Sequence, residues 1–231
     1  MGIHRIADMQ QDEAAWKESR RSLLTSSEIF SWLGDTPSWW SDGPEDVLAG
    51  KQGVEKVFDR ETETTIAHGS FDEGNIIEKF GTAAGCLVMP ENGLYVNDRF
   101  PGIGASVDGF GKPDHTLEPQ AVFGQDRTLF PYLNDLINSR DTEFLLECKK
   151  SLSSKWQQRV PEYYVTQVQT QLAVMELDYA IIFAETVKKG DDQKWRLFHD
   201  FRAYVIERDP AWEKVLLEQG ERFLDKLKEI S

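Results

Sequence analysis

One predicted strand carries a carboxylate and an amine in an otherwise apolar run. Residues 144–150 read FLLECKK. Because side chains alternate along a strand, Glu147 and Lys149 project to the same face, about 7 Å apart. A carboxylate can bind a divalent cation, which lowers the pKa of a bound water and screens a phosphate, while a lysine orients the nucleophile. The same pair is also typical of a solvent-facing sheet edge, so this spacing alone leaves both interpretations open.

A second carboxylate, Asp108, ends the predicted strand over residues 103–108 and is followed by Gly109. An Asp-Gly pair is an ordinary turn signal, and it also places a carboxylate at a strand end, where it can bind a cation. An aspartate at a strand end, followed by Glu-x-Lys on a later strand, resembles the PD-(D/E)xK nuclease core, in which the two carboxylates share a divalent cation. Asp108, Glu147 and Lys149 therefore favour metal-dependent phosphodiester hydrolysis.

The elements that must position these residues alternate between helix and strand. Thr25 and Glu28 form a capping-box pattern that predicts the start of a helix. A later helix, over about residues 67–80, is predicted to end at Gly81. Pro161 opens a later helix. This order predicts one α/β domain over residues 1–231, with a central mixed sheet flanked by helices. Its strands are predicted over residues 87–89, 94–96, 103–108, 144–149, 179–187 and 195–207.

The charge balance excludes one way of binding nucleic acid. The chain has 26 Lys and Arg against 40 Asp and Glu, which gives a formal net charge of −14. A protein that coats nucleic acid non-specifically is usually basic, because neutralising phosphates supplies its affinity. We therefore expect contact with a polyanion through a local basic groove or through bound cations, and an acid-rich chain suits oxygen-ligated cations such as Mg²⁺.

Hydropathy and cysteine content indicate the compartment. No stretch is apolar over the roughly 18–20 residues that span a bilayer, so we expect no membrane partner. The first residues lack the apolar core of a signal peptide, and two cysteines, Cys86 and Cys148, cannot build a disulfide framework. These features predict a reducing cytoplasm. The sequence also has no phosphate-binding GxxxxGK[ST] loop and no complete dinucleotide-binding fingerprint.

Four further segments share residue types and order with one nuclease family. They are residues 20–28 (RRSLLTSSE), 69–73 (GSFDE), 164–169 (YVTQVQ) and 204–209 (YVIERD). With Asp108 and residues 147–149 they follow the family's order through most of the chain. The sequence resembles the phage lambda exonuclease and YqaJ-type viral recombinase family of alkaline 5′→3′ double-strand DNA exonucleases.

The resemblance implies a role for each matching residue of the core. The metal ligands would be the carboxylates of Asp108 and Glu147 and the main-chain carbonyl of Cys148. Mg²⁺ is the implied cation, and Mn²⁺ is an alternative that accepts the same oxygen ligands. Lys149 would help to activate the attacking water. The residues implied to position the water, the metal or the scissile phosphate are Glu73 and Gln167.

Two groups of residues are expected to contact DNA. The resemblance implies that Arg20 and Ser27 form a pocket for the 5′-phosphate. Independently of it, residues 148–161 contain no Asp or Glu and place an aromatic residue among basic ones, which predicts a local basic groove wall. The members of this wall are Lys150, Lys155, Trp156 and Arg159.

The family resemblance implies a function and its partners. It implies an Mg²⁺-dependent exonuclease that degrades one strand of duplex DNA from its 5′ end and so produces single-stranded DNA for recombination. The implied partners are double-stranded DNA ends, a single-strand annealing protein and further copies of the chain, in the cytoplasm of a bacterial or phage-infected cell. Two alternatives stay open: a restriction- or repair-type endonuclease on the same core, and a catalytically silent DNA-end-binding protein.

The sequence departs from the family pattern between its two carboxylates. Thirty-nine positions separate Asp108 from Glu147, where the family usually has a short hairpin. The extra segment, about residues 110–142, is too apolar for a loose loop. We therefore expect this insertion to fold over the site or against another subunit, with its aromatic side chains buried against the core or a neighbouring subunit. These aromatic residues are Phe123, Phe130 and Tyr132.

Overall fold

The described part of the chain forms two β-sheets with helices packed against both. The computed structural model describes residues 2–8, 13–34, 36, 42–54, 73–119, 129–151, 159–189 and 195–230. The strands are β1 (Ile3–Asp8), β2 (Leu24–Thr25), β3 (Cys86–Pro90), β4 (Gly93–Asn97), β5 (Ile103–Ser106), β6 (Gly109–Pro113), β7 (Phe144–Ser151), β8 (Tyr179–Lys189) and β9 (Trp195–Glu207). The helices are α1 (Glu13–Arg21), α2 (Ile29–Leu33), α3 (Pro44–Lys51), α4 (Glu73–Ala84), α5 (Leu129–Arg140), α6 (Glu162–Met175) and α7 (Pro210–Ile230).

The larger sheet has five strands in the order β3-β6-β7-β8-β9. β7 and β8 run parallel, with Glu147 opposite Ile182, while the other neighbouring strands of this sheet run antiparallel. α6 connects β7 to β8, as a parallel pair requires. The smaller sheet has the order β1-β4-β5-β2. The predicted α/β class with a mixed sheet flanked by helices is confirmed, and the second sheet is an addition that the sequence did not predict.

The two faces of the five-stranded sheet bury different clusters. One face packs Leu146, Cys148 and Phe183 against α4 and α5. The other face packs Leu145 and Ile182 against α6. Since side chains alternate along a strand, Glu147 and Lys149 share the face of Leu145 and project towards α6. A third cluster joins the four-stranded sheet to α2, α6 and α7.

The described part of the insertion belongs to the core. α5 buries Phe130, Leu133 and Ile137 in the cluster that also contains Phe144 and Phe183. This cluster lies on the sheet face opposite Glu147, so the expectation that the insertion folds over the site is wrong for this helix. Among the insertion's predicted buried aromatics, Phe130 is buried, Tyr132 is 60% exposed, and Phe123 lies outside the described residues.

Two predicted helix ends differ from those in the structure. α4 continues through Gly81 to Ala84 and stops at Gly85, whose φ of 62° suits glycine. The helix predicted to start at Thr25 begins at Ile29, because Thr25 pairs with β5 as part of β2. The carboxylate of Glu28 still accepts from the backbone N–H of Thr25, at 3.0 Å, as the capping-box pattern predicts.

Gly111 of β6 lies opposite Phe144 of β7, and the Phe144 ring occupies the space that a side chain at position 111 would need. A Cβ at Gly111 would overlap the Phe144 ring. We expect Gly111→Ala to lower the free energy of unfolding by about 1–3 kcal/mol, because overpacking a core forces side chains from their rotamers. Urea denaturation followed by circular dichroism measures this change.

Gly50→Ala in α3 is the matched control. Among the described residues, no atom beyond the helix's own backbone lies within 4 Å of a Cβ at Gly50. Replacing Gly by Ala inside a helix should leave stability unchanged or raise it by up to about 1 kcal/mol. Equal losses from the two substitutions would contradict the packing of Gly111 against Phe144.

Candidate active site

The two predicted carboxylates come together where the chain passes from one sheet to the other. Asp108 lies between the end of β5, in the four-stranded sheet, and the start of β6, in the five-stranded sheet. Its Oδ2 accepts a hydrogen bond from the backbone N–H of Cys148, at 2.7 Å. Asp108 is therefore fixed to β7 at the residue that follows Glu147.

Glu147 is buried, with 1% of its surface exposed, and is surrounded by donors. Its Oε1 accepts hydrogen bonds from the Nζ of Lys149 and, at 2.7 Å, from the Nε2 of Gln167. Its Oε2 accepts from the Nε2 of Gln171, at 2.8 Å. Gln167 and Gln171 are four residues apart on α6, so both lie on the helix face that looks at Glu147.

Burial and charge shift the ionisation of both residues. Burial, and then the neighbouring charge of Asp108, raise the pKa of Glu147 to about 7, against the opposing effect of Lys149. Burial alone would lower the pKa of Lys149, but the Glu147 and Asp108 carboxylates raise it above its ordinary value. Lys149 is therefore protonated at neutral pH and acts as a donor of hydrogen bonds and positive charge.

The donor set fits a hard divalent cation. A cation bound by two carboxylates offsets the repulsion between them, and the charge of Asp108 acts on Glu147 in this way. Among the residues that the structure describes, no group of three or more His, Cys, Asp or Glu side chains is arranged so that it could hold a metal ion. A cation at this site would therefore need a main-chain oxygen, such as that of Cys148, or water beside the two carboxylates.

A row of aromatic rings extends from this site. The Nζ of Lys149 lies 5.1 Å from the centroid of the Tyr164 ring. The Tyr163 ring lies 4.2 Å from that of Tyr164, and 5.9 Å from that of Phe30 in α2. Phe30 follows Ser27 by three residues. The row therefore connects the candidate active site to the start of α2, where the second predicted site lies.

The second site contains both residues predicted to bind a 5′-phosphate. A guanidinium nitrogen of Arg20 donates to the hydroxyl of Thr25 at 3.0 Å and to that of Ser27 at 3.3 Å. It also lies 3.8 Å from the Oε1 of Glu28, and the Nζ of Lys51 donates to the other carboxylate oxygen, Oε2, at 2.6 Å. Two cations thus share one carboxylate, so this group of five residues carries net positive charge, which suits an anion.

Of the remaining predicted site residues, the structure describes the side chains of Lys150 and Arg159, and neither joins the two sites. Glu73 begins α4, but its side chain is not among those described, and Lys155 and Trp156 lie outside the described residues. Arg159 is exposed, and Lys150 is half-buried on the sheet face opposite that of Lys149. The basic groove wall stays a prediction.

Sequence reasoning missed two residues with polar contacts at these sites. Gln171 could have been found, because it lies one helical turn after Gln167 and so shares its face. Lys51 gave no signal in the sequence. It reaches Glu28 from α3, and its Nζ also donates to the carbonyl of Arg20 at 3.0 Å. This long-range contact depends on how α1, α2 and α3 pack together.

The mixed sheet flanked by helices defines the α/β fold class of this protein. Residues 15–178, well over half of the chain, match the family model described as the YqaJ-like viral recombinase domain. The chain belongs to this family. Membership of this family supports a nuclease activity. No curated protein sequence matches the chain.

Three solved structures share the fold. The alkaline exonuclease LHK-Exo from Laribacter hongkongensis aligns with a TM-score of 0.58 and 17% identity, over 93% of this chain and 92% of that one. LHK-Exo in complex with dAMP gives 0.56 and 18%, with the same coverage. A phage related exonuclease from Haemophilus somnus 129PT gives 0.54 and 13%, over 94% of this chain and 100% of that one.

None of the helices described here is long and apolar enough to cross a membrane.

The raised pKa of Glu147 predicts how stability of the metal-free protein depends on pH. The ordinary pKa is 4.5 and the folded value is about 7. At pH below the ordinary value both the folded and the unfolded chain hold the proton, so the group contributes nothing. As pH rises between the two values, only the folded chain holds it, so stability falls. Above the folded value the full loss, roughly 3 kcal/mol, is present.

Glu147→Gln removes this titration and so isolates it. In EDTA, we expect the free energy of unfolding of the variant to rise relative to wild type as the pH is raised from about 5 to about 8. Urea denaturation of both proteins over this range measures the difference. A difference that does not change with pH would contradict the burial of an ionisable carboxylate here.

Proposed function

We propose that this protein is an Mg²⁺-dependent exonuclease that degrades one strand of duplex DNA from its 5′ end, with Mn²⁺ as an alternative cation. The observation that carries the proposal is the buried Glu147 carboxylate, held by Lys149 and Gln167 beside Asp108. Membership of the YqaJ-like viral recombinase domain family supports it. LHK-Exo was solved with dAMP, a nucleoside monophosphate of the class that this reaction would release.

Each residue of the core has a part in the proposed hydrolysis. Asp108, Glu147 and the carbonyl of Cys148 would hold Mg²⁺, which supplies an activated water and screens the phosphate when bound. Gln167 keeps the Glu147 carboxylate in place. Lys149, being protonated, stabilises the negative charge that grows on the phosphate as water adds to phosphorus and the bond to the 3′-oxygen breaks.

The direction of digestion is proposed to come from the second site. Arg20 offers a planar fork that can bind a terminal phosphate through two parallel hydrogen bonds. Ser27 adds a hydroxyl beside it. The Tyr163 and Tyr164 rings extend from this site towards Lys149 and would line the path of the terminal nucleotide. The first phosphodiester bond would then be placed at the cation by anchoring the 5′ end.

The proposed setting is recombination in a bacterial or phage-infected cell, within the cytoplasm. The proposed partners are double-stranded DNA ends, a single-strand annealing protein that receives the product strand, and other copies of the chain. Glu73, Lys150, Lys155, Trp156 and Arg159 keep their proposed roles around the site and along the DNA. Two alternatives share the core: an endonuclease, and a DNA-end-binding protein that does not cut.

Substitution of the core residues tests whether this site hydrolyses DNA. We expect Asp108→Ala, Glu147→Ala and Lys149→Ala each to lower the hydrolysis rate at least ~10³-fold, because water activation and charge stabilisation are lost. The two carboxylate variants should also lose Mg²⁺ binding, while the lysine variant keeps it. Release of nucleotides from linear duplex DNA measures the rate, and near-normal turnover in any variant would discard the assigned site.

The choice of DNA separates the three candidate functions. Wild-type protein is incubated with linear or circular duplex DNA and Mg²⁺, with and without a chelator. An exonuclease digests only the linear DNA, and only without the chelator. Cutting of the circular DNA would identify an endonuclease, and binding of linear DNA without digestion would identify a DNA-end-binding protein.

Arg20→Ala tests how the 5′ end is recognised. We expect it to slow digestion of 5′-phosphorylated duplexes by roughly 10- to 100-fold, the effect of losing a hydrogen bond between charged groups, and to change digestion of 5′-hydroxyl duplexes little. Arg20→Lys should restore the preference only in part, because an ammonium lacks the planar fork. The ratio of the two digestion rates is the measurement.

Arg21→Ala is the matched control for this test. Arg21 is the next residue of α1, is largely exposed and pairs with Glu18 at 2.7 Å, so it does not join the contacts of Arg20 with Thr25 and Ser27. The control should keep the preference for a 5′-phosphate. If Arg21→Ala removes the preference and Arg20→Ala does not, the proposed pocket is wrong.

A further inference from the structure

We propose that Gln171 is a positioning residue for the cation site, and that it holds Glu147 and the segment before Asp108 in the geometry that binds the metal. Gln171 lies outside the motifs that resemble the family and was not expected from the sequence. The inference rests on the proposed function, because it assigns Gln171 a role at the proposed Mg²⁺ site.

The hydrogen bonds of Gln171 join the two segments that carry the carboxylates. Its side-chain nitrogen donates to the Oε2 of Glu147 at 2.8 Å and to the main-chain carbonyl of Ser106 at 2.7 Å. Ser106 ends β5 and precedes Asp108 by two residues. One buried side chain therefore spans from β7 of the five-stranded sheet to β5 of the four-stranded sheet, where the chain turns into Asp108.

The orientation of the Gln171 amide follows from its neighbours. Glu147 and Ser106 both present acceptor oxygens, so the nitrogen, which carries two N–H groups, must face them. The amide oxygen then points away, and among the described residues this buried atom has no hydrogen-bond partner. A buried unpaired carbonyl is unfavourable. Gln171 therefore makes both hydrogen bonds to the carboxylate-bearing segments although its unpaired amide oxygen lowers stability.

Different donors bind the two carboxylate oxygens of Glu147. Lys149 and Gln167 both donate to Oε1, whereas Gln171 is the described residue that donates to Oε2. Without Gln171 the carboxylate would be held through one oxygen and could rotate about its terminal bond. Groups that orient a metal ligand typically change metal affinity by 10- to 100-fold when they are removed.

Gln169 offers a matched control on the same helix. It is as polar and nearly as buried, and it also makes two hydrogen bonds, donating to the carbonyl of Glu207 and accepting from the N–H of Asp209. These partners belong to the corner between β9 and α7, away from Glu147. Gln169→Met should therefore lose a similar number of hydrogen bonds without touching the cation site.

The experiment compares Gln171→Met with Gln169→Met and wild type. Isothermal titration calorimetry with Mg²⁺ or Mn²⁺ alone, without DNA, gives the dissociation constant of the metal, and the Mg²⁺ concentration for half-maximal digestion of linear DNA is measured in parallel. We expect both quantities to rise about 10- to 100-fold in Gln171→Met. In Gln169→Met we expect them to stay within about twofold of wild type.

Each outcome separates the inference from the proposed function. If wild-type protein binds neither metal, the proposed function itself fails. If it binds metal and a folded Gln171→Met binds equally well, the positioning role of Gln171 is overturned. Should Gln171→Met fail to melt cooperatively, Gln171→Asn replaces it, since the shorter amide cannot reach both acceptors. Wild-type metal affinity in Gln171→Asn would likewise overturn the inference.

Discussion

A buried carboxylate, Glu147, held beside a second, half-buried carboxylate, Asp108, is the constraint on which the rest of this structure depends. Burying an unpaired charge is strongly unfavourable, and a neighbouring charge of the same sign adds to the cost. Hydrogen-bond donors on β7 and α6 stabilise the Glu147 carboxylate. The backbone N–H of Cys148 donates to Asp108. The pKa of Glu147 is nevertheless raised, first by its burial and then by the charge of Asp108, so the donors do not fully offset these two effects. A divalent cation bound by both carboxylates would offset the repulsion between them.

The fold separates the work of its two sheet faces. The face with α4 and α5 is filled by apolar and aromatic side chains, among them Phe80, Phe144 and Phe183. This packing keeps β7 in the middle of the sheet. The other face can then carry Glu147 and Lys149 beneath α6. The insertion contributes to the first face through α5, so the segment that departs most from the family pattern supports the site from behind.

The sequence predicted the parts of the site that depend on local geometry. Strand alternation predicted that Glu147 and Lys149 share a face, and the two side chains are hydrogen-bonded. The resemblance grouped Arg20 with Ser27, whose side chains are in contact, while their role as a phosphate pocket stays a proposal. Contacts between distant segments could not be predicted in this way. Lys51 reaches Glu28 only after three helices have packed, and Thr25 belongs to β2 because a tertiary strand pairing overrides its local capping preference. Gln171 was predictable in part. Its place on the helix face of Gln167 follows from their spacing of four residues, but its hydrogen bond to the distant Ser106 does not.

X-ray diffraction from crystals soaked in Mn²⁺ and measured at the manganese absorption edge tests most directly whether Asp108 and Glu147 share a cation. The expected result is a strong anomalous peak within bonding distance of both carboxylates and of the Cys148 carbonyl oxygen, absent from crystals of Glu147→Gln prepared in the same way. A well-ordered site with no peak between Asp108 and Glu147, in crystals of active protein, would contradict the account.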